Sequence, residues 1–439
     1  MPATTEAVAD QPSGYIHNLT PEQVVKLKQL WVKLFEIYDQ KADESPVSTP
    51  TQRSRQGSTD SKSSFGSFFG KKKAKIERDQ VFLTSTYNDA TGTTPLPVEE
   101  AIKLVSGGQL KDACWSAIGV DNPDTLLLRF LRARKWDVDA AFTMLSSALR
   151  WRLEERVDEI VRLGEAGLRD ELERLDAGSS KKWLDQFQSG KSFLGGPDQG
   201  GRPVCYINVK LHNKDAQSLE IMKCFTILTM ESGRLLVAQP VETTCLVFNM
   251  ADFTLANMDF DFIKFLITCF EAYYPESLGV CLIHRAPWVF SAVWSMIQPL
   301  LDPVVASKIH FTRSDEELLN FIDKENLPEI LSGTAHQSGK YAAPPVESVV
   351  DAAKEFPEFA AIKEKYEAAT REWAVSPGAS MEDRNKLALE YRLARLKVEN
   401  EVRAPTHYHR VGMVKVEDGR LRINYQNATS VEEDLTERV

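Results

Sequence analysis

Between residues 20 and 39, in TPEQVVKLKQLWVKLFEIYD, the apolar side chains Val24, Leu27, Trp31, Leu34, Phe35 and Tyr38 recur at helical spacing. Thr20, Pro21 and Gln23 precede them as a capping box with proline at the first helical position. The pattern predicts an amphipathic helix within residues 1–40 that seeks a partner surface. Periodicity then stops. Residues 41–70 hold eleven Ser or Thr in thirty and almost no aliphatics, the composition of a disordered linker, extended here to 94. Within it, Phe65, Phe68 and Phe69 abut Lys71, Lys72, Lys73 and Lys75. Aromatics beside lysines suit an anionic membrane surface, at about 1 kcal/mol per lysine near the headgroups. A solvated basic tail tuned by phosphorylation fits the same residues.

From 95 to 190 the period is helical again. In DNPDTLLLRFLRARKWD, Asn122, Pro123 and Asp124 mark a helix start, with Leu127, Phe130 and Leu131 facing inward. DVDAAFTMLSSALRWRLEERV follows with Ala141, Met144, Leu145, Ala148 and Leu149 on one face. After 195 the period shortens. PVCYINV (203–209), TCLVFNM (244–250) and GVCLIH (279–284) are short apolar runs, as expected of strands covered on both faces. Helical stretches from 219 and 258 separate them. Strand, helix, strand from 244 to 284 predicts a right-handed crossover, hence an α/β lobe (191–340) with a mixed, largely parallel sheet flanked by helices. The remainder, 341–439, reads as Pro-rich and acidic helical segments with few large aliphatics. It ends in a hairpin turning at Asp418–Gly419.

Charge narrows the partners. The net charge is −10, so no basic excess points to nucleic acid. Six cysteines at wide spacing, most of them within apolar runs, read as free buried thiols in a reducing compartment. MPATTEAVADQPSGY has neither a basic start nor an apolar stretch, so no secretory signal is expected and the chain reads as a cytoplasmic monomer. Catalytic signatures are missing from the sequence: there is no GxSxG, HExxH or Walker lysine. GGPDQGG (195–201) leads into a strand rather than a helix, which makes it a glycine-rich turn rather than a phosphate loop. His407 and His409 are a poor case for a metal, and Glu231 and Glu271, on apolar helices, lack a partner nearby in sequence. Neither a catalytic residue nor a metal or cofactor is expected.

One stretch stands apart. HRAPWVFSAVWSMIQPLL (284–301) carries a single formal charge, Arg285, but Pro287 and Pro299 break it, so it is no membrane span. Composition alone fits an ordinary buried helix. Four motifs change that reading: LLLRFLRARKWDVDAAFTML...ALRWR, DQGGRPVCYINV, YYPESLGVCLIHRAPWVFSAVW and LLDPVVASKI. Together, in order over residues 95–335, they resemble the CRAL-TRIO lipid-binding family, in its fungal phosphatidylinositol-transfer branch.

The resemblance implies a helical lobe followed by an α/β lobe whose sheet floors an apolar lipid pocket closed by a mobile helical gate. It assigns the gate to 284–301, with Trp288, Phe290, Val293, Trp294 and Ile297 as its apolar residues. Proline brackets of that spacing limit the helix to about three turns. Trp288, Phe290 and Trp294 would then cover acyl chain when the gate is shut and meet the bilayer interface when it opens. The resemblance also places a phosphoinositol site on Arg134 and Lys135 in RARKW, Glu276 in YYPES and Lys308 in VVASKI. Cations neutralise a phosphodiester, and a carboxylate accepts from inositol hydroxyls or orients a lysine. Two departures stand out. Val305 replaces a threonine common in the family, and of two hydroxyl positions that serve choline lipids, Thr244 remains while Leu246 does not. The function so implied is a phosphatidylinositol-binding and transfer protein without chemistry of its own. Its ligand is a bound phospholipid, its surface partner a membrane it touches transiently, and its product an inositol lipid presented to kinases. A carrier of another hydrophobic ligand such as a sterol, and a lipid-sensing scaffold recruiting proteins through 341–439, stand beside it.

Overall fold

A computed structural model describes residues 12–39, 106–335, 341–345, 350–351, 354–377, 381–425, 427 and 431–439. The serine-rich linker and its Phe/Lys cluster lie outside the described residues.

The first helix, α1 (Pro21–Tyr38), starts as its sequence predicts, with Thr20 Oγ1 accepting from the Gln23 amide and the Gln23 side chain returning to the Thr20 amide. The helical lobe follows as α2 (Gly107–Ile118), α3 (Pro123–Ala133), α4 (Val138–Glu154), α5 (Val157–Leu175) and α6 (Ser179–Gln188). Asn122 and Asp137 accept from the first-turn amides of α3 and α4. Leu127, Phe130, Leu131, Ala141, Met144, Leu145, Ala148 and Leu149 are all buried, the faces that the apolar spacing selects.

The sheet runs β1 (Ser192–Pro197), β2 (Pro203–Asn208), then α7 (Leu219–Gly233), β3 (Thr244–Asn249), α8 (Phe260–Thr268) with a π-helical turn over Cys269–Tyr273, β4 (Leu278–His284), α9 (Phe290–Ile297), α10 (Pro303–Ser307) and β5 (Ile309–Thr312). Strand order follows chain order. The first pair is antiparallel and the other three are parallel, so the sheet is mixed and largely parallel. Two strands escape the apolar-run rule. In β1, Gly195 and Gly196 are strand residues, and the turn itself is 198–202, closed by Asp198 Oδ1 accepting from the Gly200 and Arg202 amides at 2.9 Å each. A Cβ on Gly195 would stand 2.7 Å from the Tyr206 ring on β2, so the glycine is demanded by cross-strand packing rather than by a bend. β5 is four residues long, too short to show a period.

The C-terminal segment adds α11 (Pro357–Val375), α12 (Met381–Lys397), and a sheet of β6 (Val414–Glu417), β7 (Arg420–Ile423) and β8 (Glu433–Asp434). Glu417 pairs with Arg420 across Asp418–Gly419, both at positive φ, so the hairpin turns at the predicted dipeptide. This segment is not an appendage. Tyr366, Trp373, Ala388 and Tyr391 join Leu27, Leu30, Trp31 and Leu34 of α1 in one core with α2–α4. Asp124, fully buried, fastens the three pieces: it accepts from Trp31 Nε1 at 2.7 Å and from the Arg384 guanidinium, one arm at 2.6 Å. α1 thus finds its partner surface in the lobe and the C-terminal helices.

Candidate functional site

The period-2 alternation of the strands sorts their side chains onto two faces. Val204, Tyr206, Cys245, Val247 and Leu282 pack beneath the sheet against Leu318, Ile322, Leu327 and Leu331. On the other face Ile207, Leu246, Phe248, Cys281, Ile283 and Ile309 line a cavity of about 1490 Å³ of non-atom space, part of it open to solvent. α7 and α8 wall it with Met222, Phe225, Phe262, Leu266 and Phe270, and α9 roofs it with Phe290, Trp294 and Ile297. Packed interiors hold few voids larger than one water, and the part of this space open to water-sized spheres, about 240 Å³, makes it a candidate binding site.

The roof is the 284–301 stretch. Two α-helical turns, Phe290–Ile297, and a 3-10 turn over Gln298–Leu300 make up the three turns that the prolines allow. Its inner side holds Phe290 edge-on to Phe253, with centroids 5.6 Å apart, and Trp294 edge-on to Phe311 at 5.1 Å. Val293 is buried but outside the cavity lining. Trp288 departs from the expected cover: it precedes the helix, is not part of the cavity lining and is 88% exposed. Met296, Leu300 and Val304 are exposed as well. The roof therefore presents apolar groups inward and outward, with no charge between Arg285 and Asp302.

Beside the strand N-termini lies a second pocket, about 1000 Å³ of non-atom space, which adjoins the first along Phe270, Leu278 and Val305, residues that line both. Arg134, Glu276 and Lys308, drawn from three distant parts of the chain, line it with Ser147, Thr268, Glu271 and Asp302. Arg134 is the C-cap of α3, and Lys308 Nζ lies 4.0 Å from Glu276 Oε2. Glu276 takes φ +57° in the tight passage from the π-helical turn to β4. Glu271 Oε1 accepts from the Asp302 amide at 2.6 Å. Burial, with the Asp302 charge opposing ionisation, raises the Glu271 carboxyl above its usual range despite that bond. The pocket wall is stiffened by Tyr273, which stacks on Trp151 at 4.2 Å.

The basic run RARK divides by role. Arg132 is structural: it donates to Glu242 at 2.6 Å and to the Gly14 carbonyl at 2.9 Å. Arg134 reaches the pocket. Lys135 is exposed and lines neither cavity, and Thr244 Oγ1 donates instead to the Ser277 carbonyl at 3.3 Å. Leu246, by contrast, faces the large cavity. Sequence reasoning missed Ser147 and Thr268. Ser147 had a signal, since it follows the inward-facing Met144 by three positions on α4.

The remaining chemical candidates have structural work. Glu231 accepts from Arg152 at 2.7 Å, Arg234 at 3.2 Å and Tyr274 Oη at 2.9 Å. Burial alone would raise this carboxyl, but the Arg152, Arg234 and Arg403 guanidiniums outweigh it and hold the group far below its usual range. Burial pushes His407 and His409 down to about 4, and each Nδ1 accepts a backbone amide, from Ala342 and Thr406. No cluster of three or more metal-ligating side chains occurs among the described residues, nor any described helix long and apolar enough to cross a membrane.

Comparison with known proteins agrees with this layout. The CRAL/TRIO domain profile matches residues 187–333, and the CRAL/TRIO N-terminal domain profile matches 79–147. A CRAL-TRIO domain-containing protein of Schizosaccharomyces pombe is 35% identical over 422 residues, covering 92% of each chain. The phosphatidylinositol transfer protein CSR1 of Eremothecium gossypii is 36% identical over 341 residues, 73% of this chain and 77% of that one. The SEC14 cytosolic factor of the same organism is 29% identical across 49% of this chain and 70% of its own. The first two alignments extend well beyond the two profile matches, consistent with α1 and the C-terminal helices sharing the lobe core.

Proposed function

Since this chain belongs to the CRAL-TRIO family, a lipid-binding family, we propose that it is a phosphatidylinositol-binding and transfer protein that exchanges one phospholipid between membranes and its cavity. The observation that carries the reading is the adjacency of the two cavities: an apolar chamber under α9 beside a pocket lined by Arg134, Lys308 and Glu276, with Phe270, Leu278 and Val305 common to both. Acyl chains occupy the first and the phosphoinositol occupies the second. Each buried methylene is worth about 0.8 kcal/mol on leaving water, so a lipid is retained in solution only under a closed roof. Against a bilayer that term nearly cancels, because one hydrocarbon medium replaces another. Selection then falls to the polar pocket, where the cations neutralise the phosphodiester and Glu276 accepts from ring hydroxyls.

The exposed Trp288, Met296 and Leu300 give the closed roof its contact with the membrane interface, where tryptophan partitions well. Contact with lipid on the outer side removes the cost of swinging Phe290, Trp294 and Ile297 off the chamber, and α9 opens. The protein makes and breaks no bond in this cycle, in keeping with relatives named for lipid transfer. Presentation of the headgroup to a kinase is the cellular use that an opened roof permits. The leucine at 246 offers no hydroxyl to donate to the phosphodiester of a choline lipid, so inositol lipid is favoured over choline lipid. Transfer of labelled lipid between vesicles tests this. Phosphatidylinositol should move faster than phosphatidylcholine by at least about tenfold, and equal rates for the two would reject the headgroup assignment.

A further inference from the structure

Polar bonds hold the roof firmly just before it begins and just after it ends. At the start, the Arg285 amide donates to the Thr312 carbonyl at 2.8 Å and its guanidinium to Asp315 Oδ2 at 2.7 Å. The fully buried His284 has its two ring nitrogens 3.0 Å from Thr312 Oγ1 and 3.0 Å from Asp315 Oδ1. Beyond the end, the Lys308 carbonyl accepts from the Cys281 amide of β4 at 2.8 Å.

Between these anchors the segment 286–307 is nearly free of polar ties. Among the described residues its hydrogen bonds close on the segment itself or on Lys308, with one exception. The Asp302 amide donates to Glu271 Oε1 at 2.6 Å, across 31 residues. Its other attachments are apolar: Phe290, Val293 and Ile297 are buried, Phe290 against Phe253, and Trp294 meets Phe311. Lipid replaces such contacts, hydrocarbon for hydrocarbon, but it offers the Asp302 amide no acceptor of equal strength. Glu271 stands in the π-helical turn, an irregularity found mostly at functional sites, and lines the same pocket as Arg134 and Lys308.

We propose that Glu271 is a positioning residue for lipid exchange, whose carboxylate latches the trailing end of the roof through the Asp302 amide until the roof opens. This rests on reading α9 as the gate of a lipid cavity. The bond joins two groups of the protein, so it restrains the empty and the loaded chain alike. Its loss therefore accelerates entry and departure of lipid together, whereas loss of a contact to the headgroup accelerates departure alone.

The test follows pyrene-labelled phosphatidylinositol in both directions between phosphatidylcholine vesicles and the full chain, giving one rate for uptake and one for release. Glu271→Ala should exceed Glu271→Gln by about tenfold or more in both, because the glutamine oxygen still accepts from Asp302. A second pair removes the donor instead. Asp302 sits at φ −58° and Leu301 before it at φ −86° and ψ 135°, so a proline at 302 is tolerated by the backbone. Asp302→Pro loses the N–H, while Asp302→Ala keeps it and shares the loss of the carboxylate that caps α10, so the proline variant should be the faster by a similar factor. Adding Glu271→Ala to Asp302→Pro should accelerate neither rate further. The Asp302 pair decides the matter should Glu271→Ala fold poorly. Rates within about threefold across either pair, or faster release with unchanged uptake, overturn the latch while the parent still exchanges lipid. A parent chain that takes up no phosphatidylinositol overturns the lipid gate and the latch with it.

Discussion

Replacing Arg134 and Lys308 together by alanine removes both cations from the proposed headgroup pocket and would leave Glu271, Glu276 and Asp302 to face the phosphodiester. A unit-charge pair 4 Å apart is worth about 4 kcal/mol at an effective dielectric of 20 and about 1 kcal/mol in water. Lys308 keeps 22% of its side chain exposed, which places each contact between these limits, about 1.5–2 kcal/mol. The pair then accounts for about 3–4 kcal/mol, and phosphatidylinositol affinity should fall roughly 10²- to 10³-fold. Folding should barely notice. Lys308 makes only a 4.0 Å pair with Glu276, and Arg134 a bond to the adjacent Ala133 carbonyl. Partly exposed pairs of this kind contribute about 0–1 kcal/mol. Equilibrium binding of fluorescent phosphatidylinositol, with Tm measured on the same samples, checks both halves. Binding within threefold of the parent would refute the headgroup assignment, and global unfolding would show that the two residues are structural.

Arg384→Ala strips the buried Asp124 carboxylate of its guanidinium partner and should cost about 3–5 kcal/mol in urea unfolding; a loss under 1 kcal/mol would mean that the C-terminal helices do not brace the lobe. Trp288→Ala should leave Tm unchanged, since the side chain is 88% exposed, yet lower vesicle co-sedimentation about tenfold, and unaltered sedimentation would remove Trp288 from the docking face. Glu231 contributes stability fully above the unfolded carboxyl value near 4.3, and that contribution is lost as pH falls toward its depressed folded value. Glu231→Gln should therefore be less stable at pH 7 and show a flatter decline between pH 4.5 and 2, and an unchanged acid profile would contradict the assigned ion cluster.

Much of the fold was readable from period and caps. Thr20, Asn122 and Asp137 announce helices because a side-chain acceptor before an apolar repeat satisfies free amides locally, and the strands at 203, 244 and 279 announce themselves by apolar runs. β1 escaped because Gly195 and Gly196 read as a turn, although the first serves the Tyr206 ring on the neighbouring strand. The C-terminal segment looked peripheral for want of aliphatics, while Tyr366, Trp373 and Tyr391 supply its buried face with aromatic surface instead. Contacts such as Asp124 with Arg384, 260 residues apart, leave no local trace. The pocket of Arg134, Glu276 and Lys308 drew these residues from motifs that a resemblance could align. Glu271 showed only as a carboxylate on an apolar helix, and its bond to Asp302, 31 residues on, emerges in the folded chain alone.

What the chamber holds decides most directly whether the protein carries phospholipid. The protein, purified without denaturant from its expression host, should release on organic extraction one phospholipid per chain, dominated by phosphatidylinositol in the mass spectrum. A protein that yields no phospholipid, or takes none up when incubated with phosphatidylinositol vesicles, would contradict it.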